Sequence, residues 1–319
     1  MEQPDVSVVM PVWRPHGPWL REAVESVLAE DGCSLELLVV DDGNEIPIAS
    51  LLAQVDDDRL QVLRVTHRGE CGARNAGVAR ACGRFVRFVD SDDVVVGDST
   101  RRLLELSDTG SSVISYGDTV VCDEALQPLR TITTSLEGDV TRDCLLGRFD
   151  TRIVSMLFPR AVVEQAGPMD VSFPMNGDWE FVLRAVELAP VRQGDFTATL
   201  YRRHTSSKTG RASLLEGTRQ RERIIVGYLD RHPEERGASL EREARSAAVL
   251  HTARAYASRG QPLRAIPHLI AGARFGLRPA CRAAARIVLD ELQARIRRSG
   301  SSRQERIDGQ ERHEADGVS

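Results

Sequence analysis

Three acidic clusters in this 319-residue chain have the residue types and spacing to do chemistry. The densest is Asp90-Ser91-Asp92-Asp93. At about 5 Å and an effective dielectric of about 20, each like-charge pair among its carboxylates costs roughly 3 kcal/mol. A divalent cation, Mn²⁺ or Mg²⁺, removes that cost, with diphosphate oxygens and water completing its shell; helix capping is the plainer alternative. Asp41-Asp42-Gly43-Asn44 either makes a turn and caps the next helix or faces a ligand. The third cluster, Gly177-Asp178-Trp179-Glu180, opens an amphipathic segment carrying Phe181, Val182, Ala185 and Leu188. Asp178 stands where a helix cap would stand, and equally where an ionised carboxylate takes a proton from an attacking hydroxyl. Between the first two acidic clusters in the chain lies Arg68-Gly69-Glu70-Cys71-Gly72-Ala73-Arg74-Asn75-Ala76-Gly77. Its Arg74 suits a nucleobase carbonyl, a phosphate or a surface salt bridge. The segment has no Gly-Lys-Ser/Thr, which excludes a nucleotide-hydrolysing P-loop. No GxGxxG follows the first strand, which argues against a dinucleotide cofactor.

The elements around these clusters give them a common address. Apolar, β-branched runs at Val6–Met10, Leu35–Val40, Leu60–Val65 and Arg84–Val89 read as strands. Helical periodicity at Trp19–Glu30 and Gly72–Ala81 separates them, so βαβ units and a mostly parallel sheet flanked by helices are expected. Asp41 and Asp90 then follow strands directly, at the carboxyl ends where open α/β sheets bind ligands. Past Asp98 the pattern loosens: strands are expected at Ser112–Val121, Thr131–Thr134 and Phe196–Tyr201, and helices at Arg160–Gln165 and Gly177–Leu188. From Leu214 the chain is helical and Arg-rich, with candidates at 214–231, 239–258, 262–275 and 279–298. The expected division is a catalytic domain over 1–212, in halves at 1–98 and 99–212, a helical region over 213–298, and a polar, disordered tail over 299–319.

Charge is unevenly spread. Residues 1–200 carry 18 basic and 33 acidic side chains, whereas 201–298 carry 21 and 9. The acidic front half argues against a nucleic-acid partner. The basic rear half is read either as a helical cap on the catalytic domain or as a peripheral contact with an anionic membrane, where residues 262–298 set Arg264, Arg274, Arg278, Arg282, Arg286, Arg295, Arg297 and Arg298 around Ile266, Leu269, Ile270, Phe275, Ile287, Val288 and Leu292. No run approaches the roughly 20 apolar residues of a membrane span. The acidic N-terminus reads as no secretory signal, so a cytoplasmic chain is expected, with a place at the inner face of the membrane if the rear half binds it. Six scattered cysteines without a CxxC pair suggest reduced, packed thiols rather than zinc or disulfides.

Taken in order, Val6-Ser7-Val8-Val9-Met10-Pro11-Val12-Trp13, Val39-Val40-Asp41-Asp42-Gly43, Ala73-Arg74-Asn75-Ala76-Gly77, Phe88-Val89-Asp90-Ser91-Asp92-Asp93 and Gly177-Asp178-Trp179-Glu180 closely resemble family 2 inverting glycosyltransferases of the GT-A fold. The likeness covers residues 5–210 and implies a GT-A, Rossmann-like catalytic domain followed by a helical extension. It implies a nucleotide-sugar donor contacted by Pro11, Trp13, Asp41, Asp42, Arg74, Asp90 and Ser91. Trp13 would stack on the base, Asp41 would meet base or ribose, Arg74 the base, and Asp90 the ribose. Asp92 would hold the metal, His204 would add a metal or diphosphate contact, and Asp178 would be the catalytic base. Many members carry Glu-Asp where this chain has Gly177-Asp178. The processive members carry Gln-x-x-Arg-Trp, whereas Gln261-Pro262-Leu263-Arg264-Ala265 lacks the Trp, so transfer of a single sugar to a saccharide or lipid-linked acceptor is expected. Two rival readings are a sugar nucleotidyltransferase, which would release pyrophosphate, and an inactive transferase-like binding subunit.

Overall fold

The computed structural model describes residues 3–110, 112–205 and 213–275. The chain divides into two compact units between Ala212 and Ser213.

In the first unit β1 (Val6–Val12), β2 (Leu35–Asp41), β3 (Leu60–Arg64) and β4 (Phe85–Phe88) are parallel, in the order β3-β2-β1-β4. Every residue of β1, β2 and β4 is buried, which is why they read as continuous apolar runs rather than as alternating ones. Helix α1 (Gly17–Leu28) lays Leu20, Ala23, Val24 and Val27 on the sheet, the stripe its periodicity predicts. The short α2 (Ile48–Leu51) follows β2. Helix α3 (Gly69–Val78) sits so close to the sheet that a Cβ on Gly77 would lie 2.4 Å from Val9 Cγ1. The register places Val12 beside Asp41 and Asp41 beside Arg64, so the loops after these strands share one edge.

The second half of the sheet is mixed. It adds β5 (Val94–Val95), α4 (Ser99–Ser107), β6 (Ile114–Cys122), β7 (Pro128–Ile132), α5 (Thr141–Leu145), β8 (Met156–Pro159), α6 (Arg160–Ala166), α7 (Gly177–Val186) and β9 (Val191–Arg202). The order continues β4-β8-β6-β9-β5, with β7 on β6; β6 and β9 are parallel and the other new pairs antiparallel. Two of these elements escape sequence periodicity for clear reasons. The buried face of α4 is Ser99, Thr100, Leu103 and Ser107, nearly all polar, and β8 is only four residues long. Strand β7 lies three residues before its expected start, because the chain turns back at Asp123–Gln127 and pairs at once with β6.

Arg87, inside the apolar run of β4, is fully buried. It donates to Ser99 Oγ (3.1 Å), Thr100 Oγ1 (2.6 Å) and the Ala198 carbonyl (2.9 Å), with Glu30 3.7 Å away. Burial pulls its guanidinium down to about 10, with Glu30 opposing. These bonds explain the polar face of α4.

In the second unit α8 (Leu214–Arg231) is capped by Ser213, whose Oγ accepts from the Glu216 N–H. Helices α9 (Ser239–Ser258) and α10 (Pro262–Ala273) pack closely, Ala253 against Ala265, and a Cβ on Gly272 would lie 2.6 Å from Leu250. The expected helix at 279–298, Cys281 and the tail at 299–319 lie outside the described residues. Among the described residues, no helix is long and apolar enough to cross a membrane.

Candidate active site

The loop after β2 is built around Asp41. This buried carboxylate accepts the Asn44 N–H and side-chain amide through Oδ1 (both 2.8 Å) and the Ile48 N–H through Oδ2 (3.1 Å). Burial works against its charge, but those hydrogen bonds and the Arg64 guanidinium outweigh it and hold the carboxyl below its usual range. Asp42, also buried, accepts the Arg68 N–H (2.8 Å) and lies 2.7 Å from His67 Nδ1. His67 in turn stacks on Trp13, with ring centroids 3.8 Å apart. Trp13 is 41% exposed, just beyond the buried Pro11 and Val12, and the Arg14 guanidinium stands 5.1 Å from its ring.

Helix α3 carries a buried cation. Arg74 is 1% exposed, its Nη1 2.6 Å from Glu70 Oε1 and its Nη2 2.6 Å from Asp90 Oδ1. Burial disfavours its charge, yet Glu70, Asp90 and Asp178 together hold it protonated well above the usual range. The charge of Asp178 is therefore felt at Arg74, beside Asp90. Packing brings α7 there. Asn75 acts as a clamp, donating to the Met169 carbonyl (2.9 Å) and accepting the Met169 N–H (2.8 Å), which ties the segment before α7 to α3. A Cβ on Gly177 would lie 2.3 Å from Cys71 Sγ. The glycine that departs from the Glu-Asp pattern is thus the residue that lets the start of α7 close on α3. Asp178 follows it, with Oδ1 accepting the Trp179 N–H (2.8 Å).

The loop after β4 behaves differently. Carboxylate oxygens of Asp90, Asp92 and Asp93 lie within 4.8 Å of one another. Burial pushes the Asp90 carboxyl up to about 6, opposed by Arg74 and helped by Glu70 and Asp92. Asp93 is fully buried and raised well above the carboxylate range; its Oδ1 accepts the Arg202 N–H (2.9 Å), while Oδ2 has no hydrogen-bond partner. Asp92 is 35% exposed, and its Oδ2 lies 2.8 Å from His204 Nε2. Two strands cause that meeting: Val94 pairs with Leu200, so β9 delivers residues 202–204 beside Asp92 and Asp93. Ser91 is half-buried within the same loop.

Closely spaced oxygen donors, one of them buried and unpartnered, with an imidazole at the rim, fit Mn²⁺ or Mg²⁺. The residues that sequence reasoning passed over are those that hold this loop. Arg202 donates to the Asp92 carbonyl through Nε (2.9 Å) and pairs with Glu22, and its guanidinium stands 5.2 Å from the Trp19 ring. Trp19 also packs on His204, centroids 4.8 Å apart. Only the crowding of Arg202, Arg203 and His204 after a strand hinted at them. Glu70 and His67 had no signal of their own.

Known proteins resemble this chain in sequence and in fold. Residues 7–152 match the family described as Glycosyl transferase family 2. The succinoglycan biosynthesis protein ExoO of Rhizobium meliloti is 37% identical over 113 residues, covering 35% of this chain and 32% of that protein. An uncharacterized glycosyltransferase of Haemophilus influenzae is 28% identical over 142 residues, covering 44% and 56%. The chain thus spans between about a third and just over half of these curated relatives. The crystal structure of S. aureus TarS 1–349 in complex with UDP-GlcNAc superposes with a TM-score of 0.56 at 15% identity, over 85% of this chain and 91% of that one. That last likeness is one of fold, the GT-A arrangement expected from the motifs. Motif order, sheet topology and matching residues agree, and residues 7–152 of the chain carry the match to glycosyl transferase family 2.

Proposed function

We propose that this protein is a metal-dependent, inverting glycosyltransferase that moves one sugar from a nucleotide-sugar donor to a saccharide or lipid-linked acceptor. The observation that carries the reading is the convergence of Asp90 and the Asp178 charge on buried Arg74, with Asp92 two residues from Asp90. Asp178 takes the proton from the acceptor hydroxyl as its oxygen attacks the anomeric carbon. The bond from that carbon to the diphosphate oxygen breaks on the opposite face, and the nucleoside diphosphate leaves with the electron pair. Asp92, Asp93 and His204 would hold Mn²⁺ or Mg²⁺, which when bound offsets charge on the leaving diphosphate. Trp13 offers its exposed ring to the base, with Asp42 and His67 behind it. Arg74 keeps Asp90 in place for the ribose and balances the charge of Asp178.

TarS, of like fold, binds UDP-GlcNAc, and ExoO is named for succinoglycan biosynthesis; both support a nucleotide-sugar donor and a role in polysaccharide synthesis. A cytoplasmic protein held peripherally at an anionic membrane, where a lipid-linked acceptor is met, belongs to the same proposal. The test is nucleoside-diphosphate release from a panel of nucleotide-sugars, with and without Mn²⁺, for wild type and Asp178→Asn. The variant should bind the donor normally and transfer about 10²–10⁴-fold more slowly. Transfer at the wild-type rate would remove Asp178 as the base.

A further inference from the structure

We infer that α10 presents a docking surface for an anionic lipid bilayer, formed by Leu263, Ile266 and Ile270 within a field of arginines. The two faces of α10 are both apolar but have different roles. Ala265 and Gly272 are buried and, with Leu269, pack on α9, against Leu250, Ala253 and Tyr256. Leu263, Ile266 and Ile270 fall on another face, at i, i+3 and i+7, and are 79%, 48% and 59% exposed. Leu269, grouped by sequence with its neighbours, belongs to the inner face. A helix that buries one small-residue face in its own unit and leaves three branched aliphatics exposed carries a stripe that is unpartnered among the described residues.

Charge identifies what covers it. From residue 244 to 289 the sequence contains no Asp or Glu and eight Arg. Arg254, Arg259, Arg264 and Arg274 of this run are all exposed. Aliphatic side chains in an acid-free, Arg-rich setting match the headgroup and acyl boundary of an anionic leaflet: the stripe enters the acyl edge and the guanidinium groups meet lipid phosphates. A single-stranded nucleic acid is stacked by exposed aromatic rings, whereas this stripe is wholly aliphatic. The surface deepens the proposed function, since it would bring the chain to lipid-linked acceptors, but it stands on α10 and the arginines around it rather than on the active-site residues.

The test is co-sedimentation of the full chain with neutral phosphatidylcholine vesicles and with vesicles containing 30% phosphatidylglycerol. Wild type should bind the anionic vesicles about tenfold more tightly than the neutral ones. Binding should fall when salt is raised from 0.1 to 1 M, as the Debye length shrinks from about 10 to about 3 Å. The triple variant Leu263→Ser, Ile266→Ser, Ile270→Ser should lose about tenfold with no change in melting temperature, because all three side chains already face solvent. Arg254→Gln with Arg264→Gln and Arg274→Gln should lose a similar factor and most of the salt dependence. Equal binding to both vesicle types, or undiminished binding by the serine variant, overturns the proposal. So does a wild-type dimer, indifferent to vesicles, that the serine variant converts to monomer. Nucleoside-diphosphate release without vesicles, read on the same proteins, reports the transfer chemistry separately.

Discussion

Asp41-Asp42 and Asp92-Asp93 are the same dipeptide, each in a loop after a buried parallel strand, yet Asp41 of the first and Asp93 of the second are driven in opposite directions. Asp41 has hydrogen bonds on both oxygens, all from its own loop, and its carboxyl is held below the usual range. In the loop after β4, burial pushes Asp90 up to about 6 and raises Asp93 well above its usual value, with one buried Asp93 oxygen unpartnered. The Asp41 carboxylate is satisfied by the fold. The second loop carries repulsion that the fold does not remove, and a cation would. Residue type therefore does not separate scaffold from ligand site; the donors around the carboxylates do.

The sharpest way to break this contrast is to remove one carboxylate from each loop. Asp41→Ala leaves three buried donors without their acceptor and should cost about 3 kcal/mol of stability. That corresponds to a melting temperature roughly 6–12 °C lower. Asp92→Ala should leave the melting temperature within about 2 °C of wild type in EDTA, because a partly exposed, mutually repelling carboxylate is lost. In Mn²⁺ it should weaken donor binding by about a hundredfold, measured by calorimetry. Equal destabilisation by the two variants would end the comparison.

A smaller effect tests how α7 is brought to the crevice. Gly177→Ala sets a methyl 2.3 Å from Cys71 Sγ and should cost about 1–3 kcal/mol with slower transfer. Cys71→Gly in the same chain should restore most of both, in a double-mutant cycle read by thermal melts and nucleoside-diphosphate release. Independent, additive effects would show that the two residues do not meet.

The smallest effect is one of pH. A carboxyl whose folded pKa is raised gives its full share of stability below its unfolded value, 3.8 for Asp90, and loses it as pH rises through about 6. In EDTA the protein should lose stability from this loop between those limits. Mn²⁺ should reverse the loss, so its stabilising effect is larger at pH 7 than at pH 5. A melting-temperature gain from Mn²⁺ that is the same at both values would show that the loop carries no such frustration.

What the sequence settled by itself was local: strands from apolar runs, the α1 stripe from its periodicity, the three acidic clusters, and, through motif order, the family resemblance of the first half. Composition drew the contrast between an acidic front and a basic rear. Tertiary structure decided which of those side chains meet. Arg87 stands in an apolar strand, and its partners come from α4 and β9, more than ten residues away. His204 reached Asp92 only because β5 pairs with β9, and Gly177 became intelligible only beside Cys71. Hydrogen-bond satisfaction, burial and steric fit are properties of neighbours brought from distant parts of the chain. Periodicity and residue type report what each segment offers; only the packed fold determines whether that offer is already taken.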